Sequence, residues 1–212
     1  MLTEEILENV AAEVSTCLKC DLCKGRTKAV PGEGNPHARI MFIGEGPGFH
    51  EDKQGRPFVG PAGQFLVELL ASINLKRSDV FITNVVKCRP PGNRDPLPAE
   101  INACNDYLER QIAAIDPQAI VTLGRFSMAK FFGEEKISSI HGRARKINGR
   151  ICIAMYHPAA GLHQQSLKDT IRSDFKKIPL IMAEAESQSQ EEPGKTEVPK
   201  LKEEPPEQLA LF

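Results

Sequence analysis

No apolar run in this 212-residue sequence approaches the length of a membrane span, and no cationic-then-apolar leader opens it. A membrane-spanning or exported protein is therefore not expected, and the cytoplasm is. There is no internal repeat, which sets solenoids aside. Nor is there a strong net charge, the formal value being −1. From Glu184 onward neither Asp nor Arg occurs. Eight Glu and three Lys make that segment −5, which leaves −1 − (−5) = +4 on residues 1–183. A mildly basic body with an acidic tail permits a polyanionic partner without demanding one. The glycine-rich Gly44-x-Gly46-x-Gly48 lacks the G-x-G-x-x-G spacing. The strand after it ends in Asn84 and not in an acidic ribose-binding residue, so a dinucleotide site is set aside as well.

What is present is organised around one stretch. Ala38–Ile43 is a short apolar run of the kind expected of a buried strand, and from Pro61 to Ile73 the residues Phe65, Leu66, Leu69, Leu70 and Ile73 share one helical face. Between them lies a long glycine- and proline-rich loop, Gly44-Glu-Gly-Pro-Gly48 through Phe58-Val-Gly-Pro-Ala-Gly63. In an open α/β sheet, the carboxyl end of a strand is where ligands bind. Glu45, Glu51, Asp52 and Arg56 supply polar groups there, and Phe58 supplies a flat apolar face. A loop this long and mixed is usually functional.

The rest of the chain alternates strands with helices. Residues 3–14 read as a helix with Thr3 as N-cap and Glu4 and Glu5 in its first turn. Asp79–Val86 is a strand running into the Lys87–Gly92 loop. Pro98 opens a helix on which Ile101, Cys104, Leu108, Ile112 and Ile115 face inward. Gln118–Leu123 is a third strand, followed from Gly124 to about Phe132 by a helix. Ala144–Ile153 reads as a hairpin turning at Asn148-Gly149. Leu167, Ile171, Phe175 and Ile178 define a last helix, ended or kinked at Pro179. The pattern implies an α/β protein, a three-layer α/β/α sandwich with a largely parallel central sheet. Residues 1–183 are expected to form the domain, and 184–212, without a periodic apolar face, a disordered acidic tail.

Six cysteines in a reducing compartment suggest metal binding or simple burial before disulfides. Cys17-x-x-Cys20-x-x-Cys23 is a strong ligand signal, and the loop Cys88 and the inward Cys104 can converge with Cys17 and Cys20 on one site. Four thiolates suit zinc or a four-iron four-sulfur cluster alike, and Cys23 competes as a ligand. All four positions would be filled, so the site reads as structural. Cys152, in a β-branched run, reads as a small buried hydrophobe.

Taken in order, these residues resemble a known family. Cys17-x-x-Cys20, Gly44-Glu-Gly-Pro-Gly48, Asp52-x-x-Gly-Arg-Pro-Phe-Val-Gly60-x-Ala-Gly63, Ile82-Thr-Asn84-x-Val-Lys-Cys88-Arg-Pro-Pro91, Cys104 and His157-Pro-Ala159 together look like a family-four uracil-DNA glycosylase, collinear from about Cys17 to about Asp174. The resemblance implies an α/β/α fold and hydrolysis of the N-glycosidic bond of uracil in DNA. It also implies a 4Fe-4S cluster on Cys17, Cys20, Cys88 and Cys104, with Cys23 a bystander. In those roles the flipped base stacks on Phe58, Asn84 reads the uracil edge by donating and accepting, and Glu51 crowds C5 against thymine. His157 and backbone N–H groups near Gly46 stabilise the uracil anion. Gly46 stands where related enzymes of family one carry a water-orienting aspartate, and Glu45 is the nearest carboxylate. Leu162 is the candidate DNA wedge, and Arg89, Arg94, Arg143, His163 and Lys168 are candidates for phosphate contacts. The partners implied are single- or double-stranded DNA containing uracil, with the protein a monomer. The ending Gln208-Leu-Ala-Leu211-Phe212 resembles a docking peptide for a replication sliding clamp, with Gln208 in a polar pocket and Leu211 and Phe212 as apolar anchors. The rival reading is a non-catalytic iron–sulfur protein that binds DNA or carries electrons. A covalently attaching relative is disfavoured because no histidine-ended basic loop follows Cys88.

Overall fold

The computed structural model describes residues 2–162 and 164–190. Six strands form one sheet: β1 (Glu33–Gly34), β2 (Ile40–Gly44), β3 (Phe81–Asn84), β4 (Ala119–Leu123), β5 (Ala144–Ile147) and β6 (Arg150–Met155). Their order is β1-β3-β2-β4-β6-β5. The four inner strands run parallel, and the two edge strands are antiparallel to their neighbours. Side chains alternate along a strand, so a strand covered on both sides must be apolar throughout. Strand β2 shows this, with all five residues buried.

Helices α1 (Thr3–Thr16), α2 (Phe49–Gln54), α3 (Pro61–Ala71), α4 (Pro98–Ile115), α5 (Arg125–Phe132), α6 (Ile137–Ile140), α7 (Gln165–Phe175) and α8 (Ile178–Gln190) complete the fold. On one face of the sheet, Phe42, Ile82, Val121 and Ile153 meet Phe65, Leu66, Leu69 and Leu70 of α3, Ile171 and Phe175 of α7, and Ile178 and Met182 of α8. Phe42 and Phe175 stack with centroids 5.9 Å apart. On the other face, Met41, Ile43, Ile120 and Cys152 meet Leu108, Ile112 and Ile115 of α4 and Met128 and Phe132 of α5. A third cluster, outside these layers, gathers Val10, Val14, Leu22, Val86 and Tyr107 around Cys88 and Cys104.

Several local expectations shift. Thr3 is not the N-cap of α1: its hydroxyl donates to the Ala114 carbonyl at the end of α4, 3.1 Å away. The cap falls on Leu2, whose N–H donates to Glu5 Oε2 at 3.0 Å. The loop after β2 contains the short helix α2, ended by Gly55 at φ 76°. The hairpin turns at Asn148 and Gly149, with φ 49° and 80°, the left-handed pair of a two-residue turn. The helix expected to run through Ile178 stops at Phe175, and Pro179 neither ends nor kinks it. This proline lies in the first turn of α8, where a missing N–H costs nothing. Helix α8 therefore continues to Gln190, past the boundary expected at residue 183. No helix among the described residues is long and apolar enough to cross a membrane.

Candidate active site

The parallel strands end together at Gly44, Asn84, Leu123 and Met155, and the segments that follow Gly44, Asn84 and Met155 line a cavity of about 280 Å³. Glu45, Gly46, Pro47, Gly48 and Glu51 form one wall, Phe58 and Ala62 another, and Asn84, His157 and Ala159 the floor and side. Pro90 and the run from Asn93 to Pro96 close the rim. Glu45, Gly46, Glu51, Phe58, Asn84 and His157, all singled out from the sequence, thus lie around one space.

Each is held by a local device. The Phe58 ring stacks on that of His157 at 5.5 Å and 26°. Its backbone is left-handed, at φ 51°. Gly63 makes this possible, since a Cβ there would stand 1.9 Å from the Phe58 carbonyl oxygen. Glu51 Oε1 accepts the N–H groups of Val59 and Gly60, both at 2.8 Å, which ties α2 to the start of α3. Glu51 is therefore a fixed wall. Asn84 is buried, and its Oδ1 has no protein partner. A buried acceptor left open is costly unless something else fills it.

His157 is half-buried, and desolvation pulls its imidazole down to about 4, against the opposing influence of the Glu51 charge. Its Nδ1 accepts the Ala159 N–H at 3.1 Å. In the neutral ring the proton then sits on Nε2, leaving one N–H donor. Glu45 Oε1 accepts the Phe126 N–H at 3.2 Å, at the N-terminus of α5. Burial pushes the Glu45 carboxyl up, opposed by the backbone N–H groups of Phe126 and Arg125. Gly124, at φ 99°, leaves room for this contact, because a Cβ there would lie 2.4 Å from Glu45 Oε1.

A second pocket lies beyond the β3 end and is lined by Cys17, Cys20, Cys23, Cys88 and Cys104. Arg26 Nη1 donates to Cys88 Sγ at 3.2 Å, and the Lys87 N–H donates to Cys104 Sγ at 3.3 Å. Burial raises the Cys20 and Cys88 thiols and takes Cys104 to about 11. Metal-bound cysteines are held as thiolates, and N–H···S bonds favour that form. The donor set fits a tetrathiolate group. Among the described residues no three His, Cys, Asp or Glu are placed to grip a single metal ion. Cys152 lies elsewhere, buried under α4 and α5.

Of the other candidates only Arg94 reaches the cavity. Leu162 stands exposed on the 3-10 turn Pro158–Leu162. Arg94 lines the rim but is committed to Glu100, at 2.6 and 2.9 Å. Arg89 donates to Asn93 at 2.7 Å, and Lys168 lies over the Phe65 ring at 5.0 Å. His163 and the proposed clamp contacts Gln208, Leu211 and Phe212 lie outside the described residues. One buried group escaped sequence reasoning. Lys87 is 1% exposed, and burial lowers its ammonium to about 8. A lone Lys beside a cysteine carries no signal for that.

An α/β/α sheet with a cavity at the carboxyl ends of its strands defines a ligand-binding class, and residues 31–178 match the family model described as the Uracil DNA glycosylase superfamily. The chain is 50% identical over 183 residues to the type-4 uracil-DNA glycosylase of Archaeoglobus fulgidus, covering 82% of this chain and 92% of that one. It is also 50% identical over 186 residues to the type-4 enzyme of Sulfurisphaera tokodaii, covering 81% and 83%. A type-5 uracil-DNA glycosylase of Pyrobaculum aerophilum matches at 33% over 150 residues. The chain belongs to the type-4 uracil-DNA glycosylases.

Proposed function

We propose that this protein removes uracil from DNA by hydrolysing its N-glycosidic bond, the first step in base-excision repair of deaminated cytosine. The observation that carries the reading is the buried, unpartnered Asn84 Oδ1 in a cavity shared with Phe58, Glu51 and His157. A base within a duplex must be flipped out before chemistry reaches it. Phe58 offers the stacking face. The Asn84 amide accepts from uracil N3–H and donates to O4, a pattern that cytosine inverts. Glu51, pinned by two N–H groups, stands where the thymine methyl would sit.

The N1–C1′ bond breaks with its electron pair going to the base. The His157 Nε2–H and backbone N–H groups near Gly46 receive the growing charge on O2. A neutral imidazole does this without giving up its proton. Water then attacks C1′, and Glu45, whose carboxyl is raised by burial, accepts a proton from it. The uracil anion takes its proton from solvent.

Cys17, Cys20, Cys88 and Cys104 would hold a 4Fe-4S cluster. Its contribution is to fold and brace the lobe behind β3. Residues 1–183 form the catalytic body in this reading, with α8 extending from it. Gln208, Leu211 and Phe212 form a sliding-clamp peptide at the end of the chain, raising the effective concentration of the enzyme at replicating DNA. The protein acts as a monomer, with Leu162 as wedge.

Release of free uracil from a uracil-containing oligonucleotide tests the reading. DNA binding without release would favour a non-catalytic iron–sulfur protein. Truncation after Glu207 should abolish binding to the host clamp, measured by calorimetry, and leave excision from a short oligonucleotide intact. Equal clamp binding by both proteins would remove the peptide's role.

A further inference from the structure

Lys87 is a buried cation that the chemistry above leaves without a task. It lies three residues past the end of β3, and its side chain folds back along the chain. Nζ donates to Thr83 Oγ1 at 2.6 Å, to Gln111 Oε1 at 2.7 Å and to the Asn84 carbonyl at 2.9 Å. An ammonium has three donors, and all three are used. None of these acceptors is charged, so the contact is not an ion pair.

The network is anchored at its far side. Thr83 Oγ1 donates to the Pro31 carbonyl at 3.0 Å, and Gln111 Nε2 donates to the same oxygen at 2.8 Å. Gln111 is on α4, so the lysine ties the end of β3 to a rigid helix. On its near side, the peptide after Asn84 is held at both ends. Its carbonyl takes Lys87, and its N–H, that of Val85, donates to Gly44 O at 3.1 Å. The Asn84 side chain has no such support at Oδ1. Its direction is inherited from a backbone that Lys87 helps to fix.

We propose that Lys87 is a positioning residue: by clamping the Asn84 carbonyl to Thr83 and Gln111, it aims the base-reading amide into the cavity. The proposal rests on the reading of Asn84 as the residue that recognises uracil. Groups that orient a reacting partner act steeply, and a displacement of about 1 Å costs about 100-fold in rate.

The test is a double-mutant cycle in single-turnover base release. Lys87→Met keeps a long unbranched side chain, one atom shorter, and removes its donors. Release should fall about 10- to 100-fold, while affinity for uracil-containing duplex, read by anisotropy, and iron content stay at the wild-type level. In an Asn84→Ala background the same change should have almost no further effect. An unchanged rate well below the melting temperature would overturn the proposal, as would an equal fall in both backgrounds. Loss of iron together with rate would make Lys87 a support of the cysteine site and also overturn it. Should Lys87→Met not fold, Gln111→Leu breaks the network from α4 and should show a smaller loss with the same non-additivity. A wild-type protein that releases no uracil would remove the reading of the site itself; an active wild type with additive variants removes only the role of Lys87.

Discussion

His157 ties function to stability in a measurable way. Desolvation takes its imidazole from the ordinary 6.5 down to about 4 in the folded protein. The unfolded chain therefore binds a proton first as the pH falls. The sign follows: stability from the neutral ring is fully present above about 6.5, and is lost as pH drops from there toward about 4. At about 1.4 kcal/mol per pH unit, the interval amounts to about 3 kcal/mol. His157→Gln removes the titrating ring and keeps an N–H donor. Urea unfolding of both proteins at a series of pH values isolates the effect, because the carboxylates held low by arginines, Glu33 and Glu100 among them, titrate alike in both and cancel. The advantage of wild type over the variant should shrink by about 3 kcal/mol between pH 7 and pH 4. Parallel stability curves would refute a desolvated neutral imidazole. They would also undercut the idea that the ring donates to the leaving uracil without ionising.

Three further outcomes are expected. Asn84→Asp should lose uracil excision and gain some activity on cytosine, measured on paired oligonucleotides; unchanged excision would remove Asn84 from the site. Cys88→Ala and Cys104→Ala should lose the brown iron–sulfur absorbance and melt lower, while Cys23→Ala and Cys152→Ala keep the colour; a colourless, zinc-containing wild type from anaerobic purification would overturn the cluster. Gly124→Ala places a Cβ 2.4 Å from Glu45 Oε1 on a backbone at φ 99°, so it should cost about 1–3 kcal/mol and slow base release. Wild-type melting and rate in that variant would mean that the Glu45 contact with α5 is dispensable.

Much of this was readable before the structure, for physical reasons. Strands β2 and β4 are buried on both faces, so they stand out as apolar runs, broken in β4 only by Thr122. The cavity residues come from the ends of parallel strands, where glycines and prolines punctuate the sequence. What was not legible depends on distant partners. Lys87 looks like any surface lysine until Thr83, Gln111 and the Asn84 carbonyl surround it. Arg94 resembles a free phosphate ligand until Glu100 takes its guanidinium. Thr3 has the chemistry of a cap, yet its hydroxyl is drawn to α4. Pro179 breaks a helix or begins one, and only the path of the chain after Lys177 distinguishes the two. Helix α2 has six residues, too few for a periodic face to emerge.

The two ends of the sheet are occupied by different parts of the chain. The cavity lies at the carboxyl ends of the strands. Helix α8 runs at the other end: Glu186 pairs with Arg39, just before β2, and Ile181, Glu184 and Ala185 border the starts of β4 and β6. A strand of five residues spans about 17 Å, so the two poles are well separated. The molecule therefore has a working tip and a handle. A fluorophore, surface anchor or second domain attached at α8 starts from the pole facing away from the cavity, which makes this end the natural place to immobilise the protein with the cavity left open.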